Sequence, residues 1–324
     1  MGMIEGANRV NRILEKSMPL IVPLGVAVGV MLSKVFIGLH PFIPWFFGTI
    51  TLSGALKLKA RELGRAASSP LPTLLFFFSA HIFLPLTVFL LSSLIFKNDS
   101  DTVSGYLLLY SVPTAVTGFV WTSIFRGDCA LALTLILLDT ILAPLVVPAT
   151  VRLLLGTRVA LDMTGMAVSL ICMIVIPTMA GVAMNEISRG KIPALINPFL
   201  APFSKGCLFL MVATNSAAVA PQIHPDNPRF WVISVVCIGF CVLSFACAKF
   251  TSLVGKLTYD KQISLFFASG LRNISAAMTL GIEFFPASAA LPAVLGIMFQ
   301  QSIAAFMGRL LFRKPAAAGT PMER

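Results

Sequence analysis

The chain has 324 residues, 57% of them hydrophobic and 11% charged, with 24 Lys and Arg against 13 Asp and Glu for a net charge of +11. Soluble domains carry about 25% charged residues and disordered chains are more polar still, so this composition excludes a soluble enzyme and a disordered chain alike. The basic excess does not mark a nucleic-acid surface, because the basic residues fall in small groups between apolar runs instead of gathering in one cluster.

The first 18 residues are polar, carry Arg9, Arg12 and Lys16, and show no cleavage pattern after a short apolar core; they are expected to form a cytoplasmic N-terminus. Ten apolar runs follow: 18–36, 43–56, 71–96, 103–125, 129–155, 163–184, 199–219, 230–254, 263–282 and 289–312. A membrane helix needs roughly 20 apolar residues, so the pattern predicts ten spans with short loops and no separate soluble domain. With the N-terminus inside, 18 basic residues fall on the inner side, 5 on the outer side and Arg272 within a span. That bias predicts both termini in the cytoplasm and, with such short loops, a bacterial inner membrane. Asn98-Asp99-Ser100 fits a glycosylation sequon on an outer loop. The six cysteines show no paired metal-ligand spacing and read as reduced core residues.

The first run reads V-P-L-G-V-A-V-G-V-M from Val22 and the sixth I-P-T-M-A-G-V-A-M from Ile176, aligning Pro23 with Pro177. A five-span repeat must invert its topology. Inverted repeats belong to secondary transporters, whose sites lie near the midplane between the halves.

Charged side chains within spans are functional candidates by default. In the third run, F-F-F-S-A-H-I-F-L-P places His81 four residues before Pro85, a proline expected to free the His81 carbonyl. The fourth run opens S-V-P-T-A-V-T-G-F-V-W, and Pro113, Thr114, Thr117 and Gly118 suggest a broken helix. The fifth holds Asp139, on one helical face with positions 132 and 136. Thr214, Asn215 and Ser216 in the seventh read as helix–helix hydrogen bonding. In the ninth, A-S-G-L-R-N-I-S surrounds Arg272 with Ser269, Gly270, Asn273 and Ser275, the mark of a discontinuous helix lining a cavity. Asp139 is the expected ionic partner of Arg272. No Walker A sequence, metal set, cofactor motif or catalytic constellation occurs.

Residues 113–148, with R-G-D-C-A-L-A at the turn and A-P-L-V-V-P after it, resemble the fourth and fifth helices of the bile acid:sodium symporter family, and G-L-R-N at 270–273 resembles that family's G-M-Q-N. The resemblance implies an all-α integral membrane fold of ten transmembrane helices in two inverted five-helix repeats, with broken helices 4 and 9 crossing. It implies panel helices 1–2 in residues 1–65, core helices 3–5 in 66–158, panel helices 6–7 in 159–225, core helices 8–10 in 226–314, and a cytoplasmic tail at 315–324. It further implies two sodium ions beside the crossing and organic-anion substrates. The family's Ser-Asn of the fourth helix, however, falls on Gly118-Phe119, its two fifth-helix hydroxyls on Ala132 and Ile136, its ninth-helix acid on Ala268, its third-helix Gln on His81 and its ninth-helix Gln on Arg272. Sodium wants hard oxygen ligands, which these side chains do not supply.

The expectation is therefore a non-enzymatic secondary transporter of a small organic anion, uncoupled or proton-coupled. Arg272, Asn273, Thr117, Gly118, Ser269 and Ser275 are expected to contact substrate, and Asp139, His81 and Arg272 to form the coupling or ion-pair group. Partners are the anion, the bilayer and protons ahead of sodium, with no cofactor, metal or nucleic acid. The alternatives are a sodium:organic anion symporter with rearranged ligands and a non-transporting membrane sensor.

Overall fold

The computed structural model describes residues 2–56, 58–61, 69–156 and 162–312. The expected boundaries near 65 and 158 and the tail at 315–324 lie outside the described residues. The described residues form helices joined by turns and short extended breaks: α1 Gly2–Met31, α2 Ser33–Phe36, α3 Ile43–Ala55, α4 Pro70–Phe77, α5 Leu84–Ile95, α6 Ser100–Ser111, α7 Thr117–Ile124, α8 Cys129–Leu155, α9 Met163–Leu170, α10 Ile176–Ile187, α11 Lys191–Val219, α12 Pro228–Val254, α13 Tyr259–Gly270, α14 Ile274–Phe284 and α15 Leu291–Leu311. Among the described residues, seven helical segments are long and apolar enough to cross a membrane, and the protein is an integral membrane protein.

The first two apolar runs divide differently from the sequence expectation. The chain turns at Leu32, and Ile37–Phe42 is a 3-10 turn that joins α2 to α3. Segment 33–55 is thus one crossing-length element, which accounts for the apparent shortness of the second run. Wide π turns occur at Phe78–Phe83, joining α4 to α5, and at Ile171–Val175, joining α9 to α10. Each is followed within two residues by a proline, Pro85 or Pro177, which has no N–H to return to the preceding turn. Pro23, by contrast, sits inside uninterrupted α1. The suggested match of Pro23 with Pro177 therefore does not extend to backbone conformation; the π turn pairs Pro177 with Pro85 instead.

Lipid offers no hydrogen bonds, so helices must approach by packing and satisfy their polar groups internally. Gly25 and Gly29 are four apart on α1 and face α11: a Cβ on Gly29 would lie 2.2 Å from the Ala213 carbonyl oxygen, and one on Gly25 3.3 Å from Val212. Hydroxyls in spans turn back onto their own helix, as Thr87 Oγ1 does to Phe83 O and Thr140 Oγ1 to Ile136 O, both at 2.7 Å. All six cysteines are free; Cys207, Cys237, Cys241 and Cys247 are buried as expected, whereas Cys129 is half-buried and Cys172 is exposed.

Gly29→Val should separate α1 from α11 and destabilise the protein by ~1–3 kcal/mol, the usual scale of overpacking. Gly239→Ala, where nothing lies within 4 Å of the added carbon, should leave the thermal unfolding midpoint in detergent unchanged. Equal midpoints for the two variants would contradict the tight contact.

Candidate functional site

The fourth and ninth apolar runs are each broken, and the breaks meet. Val112, forced toward extended backbone by the proline that follows it, ends α6 at φ −60°, ψ 157°; Leu271 ends α13 at φ −99°, ψ 115°. Thr114 and Arg272 face each other as an isolated antiparallel bridge. Ala115 N donates to Leu271 O at 3.0 Å and Asn273 N to Pro113 O at 2.8 Å.

Side chains complete what the bridge leaves over. Thr114 N donates to Oδ2 of Asp139 at 2.7 Å, and Thr114 Oγ1 reaches Ala268 O at 2.5 Å and Leu271 O at 3.0 Å. Gln300 on α15 binds Arg272 twice: its Oε1 accepts from Arg272 N at 2.9 Å and its Nε2 donates to Arg272 O at 3.0 Å. Ser244 Oγ donates to Gly270 O at 3.0 Å.

Arg272 has no exposed surface. Its guanidinium donates from Nη1 to Val112 O at 3.3 Å and from Nη2 to Ala80 O. The π turn leaves the Ala80 carbonyl open, because Leu84 N bonds Ser79 O. The freed carbonyl used here is thus Ala80, one residue before the His81 carbonyl that the proline spacing suggested.

The structure also corrects the expected Arg272–Asp139 pair. Among the described residues, Asp139 has His81 as its ionic neighbour, Oδ1 to Nε2 at 2.7 Å, with side chains 0% and 4% exposed. The contact lacks the in-line geometry of a hydrogen bond, and neither ring nitrogen of His81 has another partner. Asp139 acts on Arg272 only through space. The physical reason is reach: Arg272 crosses the break toward the π turn, where two carbonyls meet its planar fork. His81 stacks on Phe77 at 5.7 Å and meets Phe76 edge-on at 6.1 Å.

The family model described as "Sodium Bile acid symporter family" matches residues 44–224, more than half of the chain. The chain belongs to this family. It is 39% identical over 296 residues to YbaS of Bacillus subtilis (strain 168), described as uncharacterized, across 91% of this chain and 97% of that protein. It is 23% identical over 269 residues to the probable sodium/metabolite cotransporter BASS3, chloroplastic, of Oryza sativa subsp. japonica, across 81% of this chain and 62% of that protein. It is 20% identical over 269 residues to YocS of Bacillus subtilis (strain 168), an uncharacterized sodium-dependent transporter, across 83% and 82% of the two chains. These relatives identify a transporter family and not an enzyme family.

The expected site residues of this symporter-family chain separate into two groups. Arg272, Asp139 and His81 come together at the crossing, and Ser269, buried with its Oγ unpartnered, lies three residues before Arg272. Asn273 is half-buried and its Oδ1 caps α14 at Ala276 N, 3.3 Å away; Ser275 is half-buried in the same first turn. Thr117 is exposed and accepts from Nε2 of Gln301 at 3.3 Å, while Trp121 Nε1 donates to Gln301 Oε1 at 2.8 Å. Gly118 is buried, and a Cβ there would lie 3.1 Å from Phe267 O; it is a close-approach position between α7 and α13. In the seventh run, Asn215 Nδ2 donates to Thr279 Oγ1 at 3.3 Å, the expected helix–helix bond for that residue, whereas Thr214 Oγ1, Asn215 Oδ1 and Ser216 Oγ are buried with no partner among the described residues. The amides of Gln300 and Gln301 were the missed signal, two polar side chains in the middle of an apolar run.

Gln300→Leu should cost ~1–3 kcal/mol of stability, because it strands the Arg272 N–H in a dry interior and leaves the Arg272 carbonyl with Ile274 N, at 2.9 Å, as its remaining donor. Gln301→Leu, at an exposed position, should cost far less. Thermal unfolding of the two variants in the same detergent checks the difference.

Proposed function

We propose that the protein is a secondary transporter of a small organic anion, working by alternating access, in which the Arg272 guanidinium permanently fills the role that a bound coupling cation has in sodium-driven relatives. The observation that carries this reading is the Arg272 contact with Val112 O, at the C-terminal end of half-helix α6, and Ala80 O. Unwound carbonyls and half-helix C-termini are where transporters coordinate cations. Here a tethered cation takes those oxygens and cannot leave with the substrate.

The positions that the family resemblance assigns to sodium ligands support the same reading. Ala132 and Ile136 are fully buried on α8. Ala268 packs with Phe76, Ala80, Leu131, Leu135 and Leu265 in one apolar cluster. Gly118 is occupied in backbone packing.

The ten spans are counted by joining α6 to α7 and α13 to α14, and the architecture is read as two inverted five-span repeats with both termini inside, in a bacterial inner membrane. Half-helices α7 and α14 start at the crossing and direct the positive ends of their dipoles to it. The substrate carboxylate is assigned to that end, with Thr117, Gly118, Asn273 and Ser275 as neighbours and Ser269 behind them. Arg272 acts there as a buried field and not by direct contact. The printed names of relatives in rice and Bacillus subtilis, sodium/metabolite cotransporter and sodium-dependent transporter, favour one second reading, a sodium symporter with rearranged ligands.

Proteoliposome uptake of a panel of small carboxylates and a bile acid tests the proposal. The expected result is saturable uptake of a carboxylate with the same initial rate under sodium, potassium and choline gradients. Arg272→Gln should abolish it. Strict dependence on sodium would support the second reading, and ligand binding without flux would make the protein a sensor.

A further inference from the structure

We propose that His81 and Asp139 form a proton-binding site and that one proton bound there moves with each monovalent anion, making the protein a proton:anion symporter. The inference rests on the anion-transport reading and names its coupling ion.

The first argument is geometric. His81 Nε2 and Asp139 Oδ1 are 2.7 Å apart, close enough to share a proton, while both atoms lack any other partner among the described residues. Histidine is the side chain that ordinarily changes charge near neutrality. Phe76 and Phe77 wall the ring on one side.

The second argument is charge balance. Arg272 and Asp139 are fully buried and, with neutral His81, sum to zero. An anion entering beside them leaves one uncompensated negative charge in a medium of low dielectric constant, which is costly. A proton on His81 restores neutrality. The anion and the proton therefore favour each other's binding, and the effect is reciprocal. The other titratable groups on the elements packed around the π turn are already engaged or remote. On α6, Tyr110 donates to Cys241 of α12 at 3.4 Å and Tyr106 donates to Ile233 O, while Asp101 accepts from Ser288. Cys237 of α12 faces Pro292 O at 3.6 Å, Cys247 is buried on the same helix, and Lys249 donates to Gln262 at 2.8 Å. Tyr259, Asp260 and Lys261 lie in the first turn of α13, three turns from its break.

The third argument is connection to the moving parts. The second oxygen of Asp139 holds Thr114 N, and Thr114 bridges to Ala268 and Leu271 of the other broken helix. A change of proton position on the pair therefore acts on the bond that fixes the crossing.

The test is nitrogen NMR of the full-length protein in nanodiscs, labelled at its three histidines, His40, His81 and His224. The His81 signal is identified by its loss in His81→Gln. The expected result is a proton held between His81 Nε2 and Asp139, seen as a strongly downfield Nε2–H signal that is lost in Asp139→Asn. A His81 with no such signal, or with one unchanged in Asp139→Asn, overturns the site. In proteoliposomes, an inward proton gradient should accelerate carboxylate uptake, and His81→Gln and Asp139→Asn should each abolish that acceleration. Carboxylate uptake indifferent to the proton gradient overturns the coupling. If no carboxylate is taken up under any gradient, the transport reading fails, while the NMR signal still decides whether the proton site exists.

Discussion

A polypeptide backbone that leaves helical geometry inside a membrane must find every hydrogen bond within the protein. This chain does so twice, at 112–116 and 271–273, and solves both problems together by making the interruptions partners. What the bridge cannot satisfy is met by side chains from three other helices, Asp139 on α8, Gln300 on α15 and Ser244 on α12, while the π turn at Phe78–Phe83 supplies the backbone carbonyl of Ala80 to the Arg272 guanidinium. The positions of Thr114, Asp139, Ser244 and Gln300 follow from that requirement.

Arg272 is the exceptional member. Burying a guanidinium is expensive unless its donors are matched; two carbonyls match part of this one, and Nε has no partner among the described residues. A neutral side chain could bridge the same elements at lower cost. The charge itself is therefore the feature that asks for a functional account, and a fixed cation among carbonyls is the account that uses it.

Much of this was legible in the sequence. Apolar runs locate the crossings, Pro113 and Gly270 locate both interruptions, and the rarity of charge in such runs singles out His81, Asp139 and Arg272. Which of these residues touch was not legible. Asp139 and Arg272 are opposite charges and the obvious pair, but partner choice depends on the π turn, and a π turn is a one-residue change in hydrogen-bond register that apolar periodicity does not report. Gln300 was overlooked because an amide carries no charge, although its two backbone contacts with Arg272 make it as specific a participant as any ion. The joined 33–55 segment was hidden by Gly38 and Pro41, which usually mark loops and here sit in a 3-10 turn.

The wide turn at Phe78–Phe83 also makes the helical rod it interrupts unusually intolerant of length changes. A π turn accommodates one more residue than an α turn over the same axial distance. Loss of a single residue there would convert it to ordinary helix without breaking the rod, so the segment would look intact. The flanking segments would keep nearly the same relative orientation, because the wide turn had absorbed the extra residue, but with a residue lost before Ala80 the Leu84 N–H that now bonds Ser79 O would take up the Ala80 oxygen into its own helix. Arg272 would then face a closed surface. In this protein a local deletion that preserves helicity would be more damaging than many substitutions that disturb it, because the irregularity is the receptor for the charge.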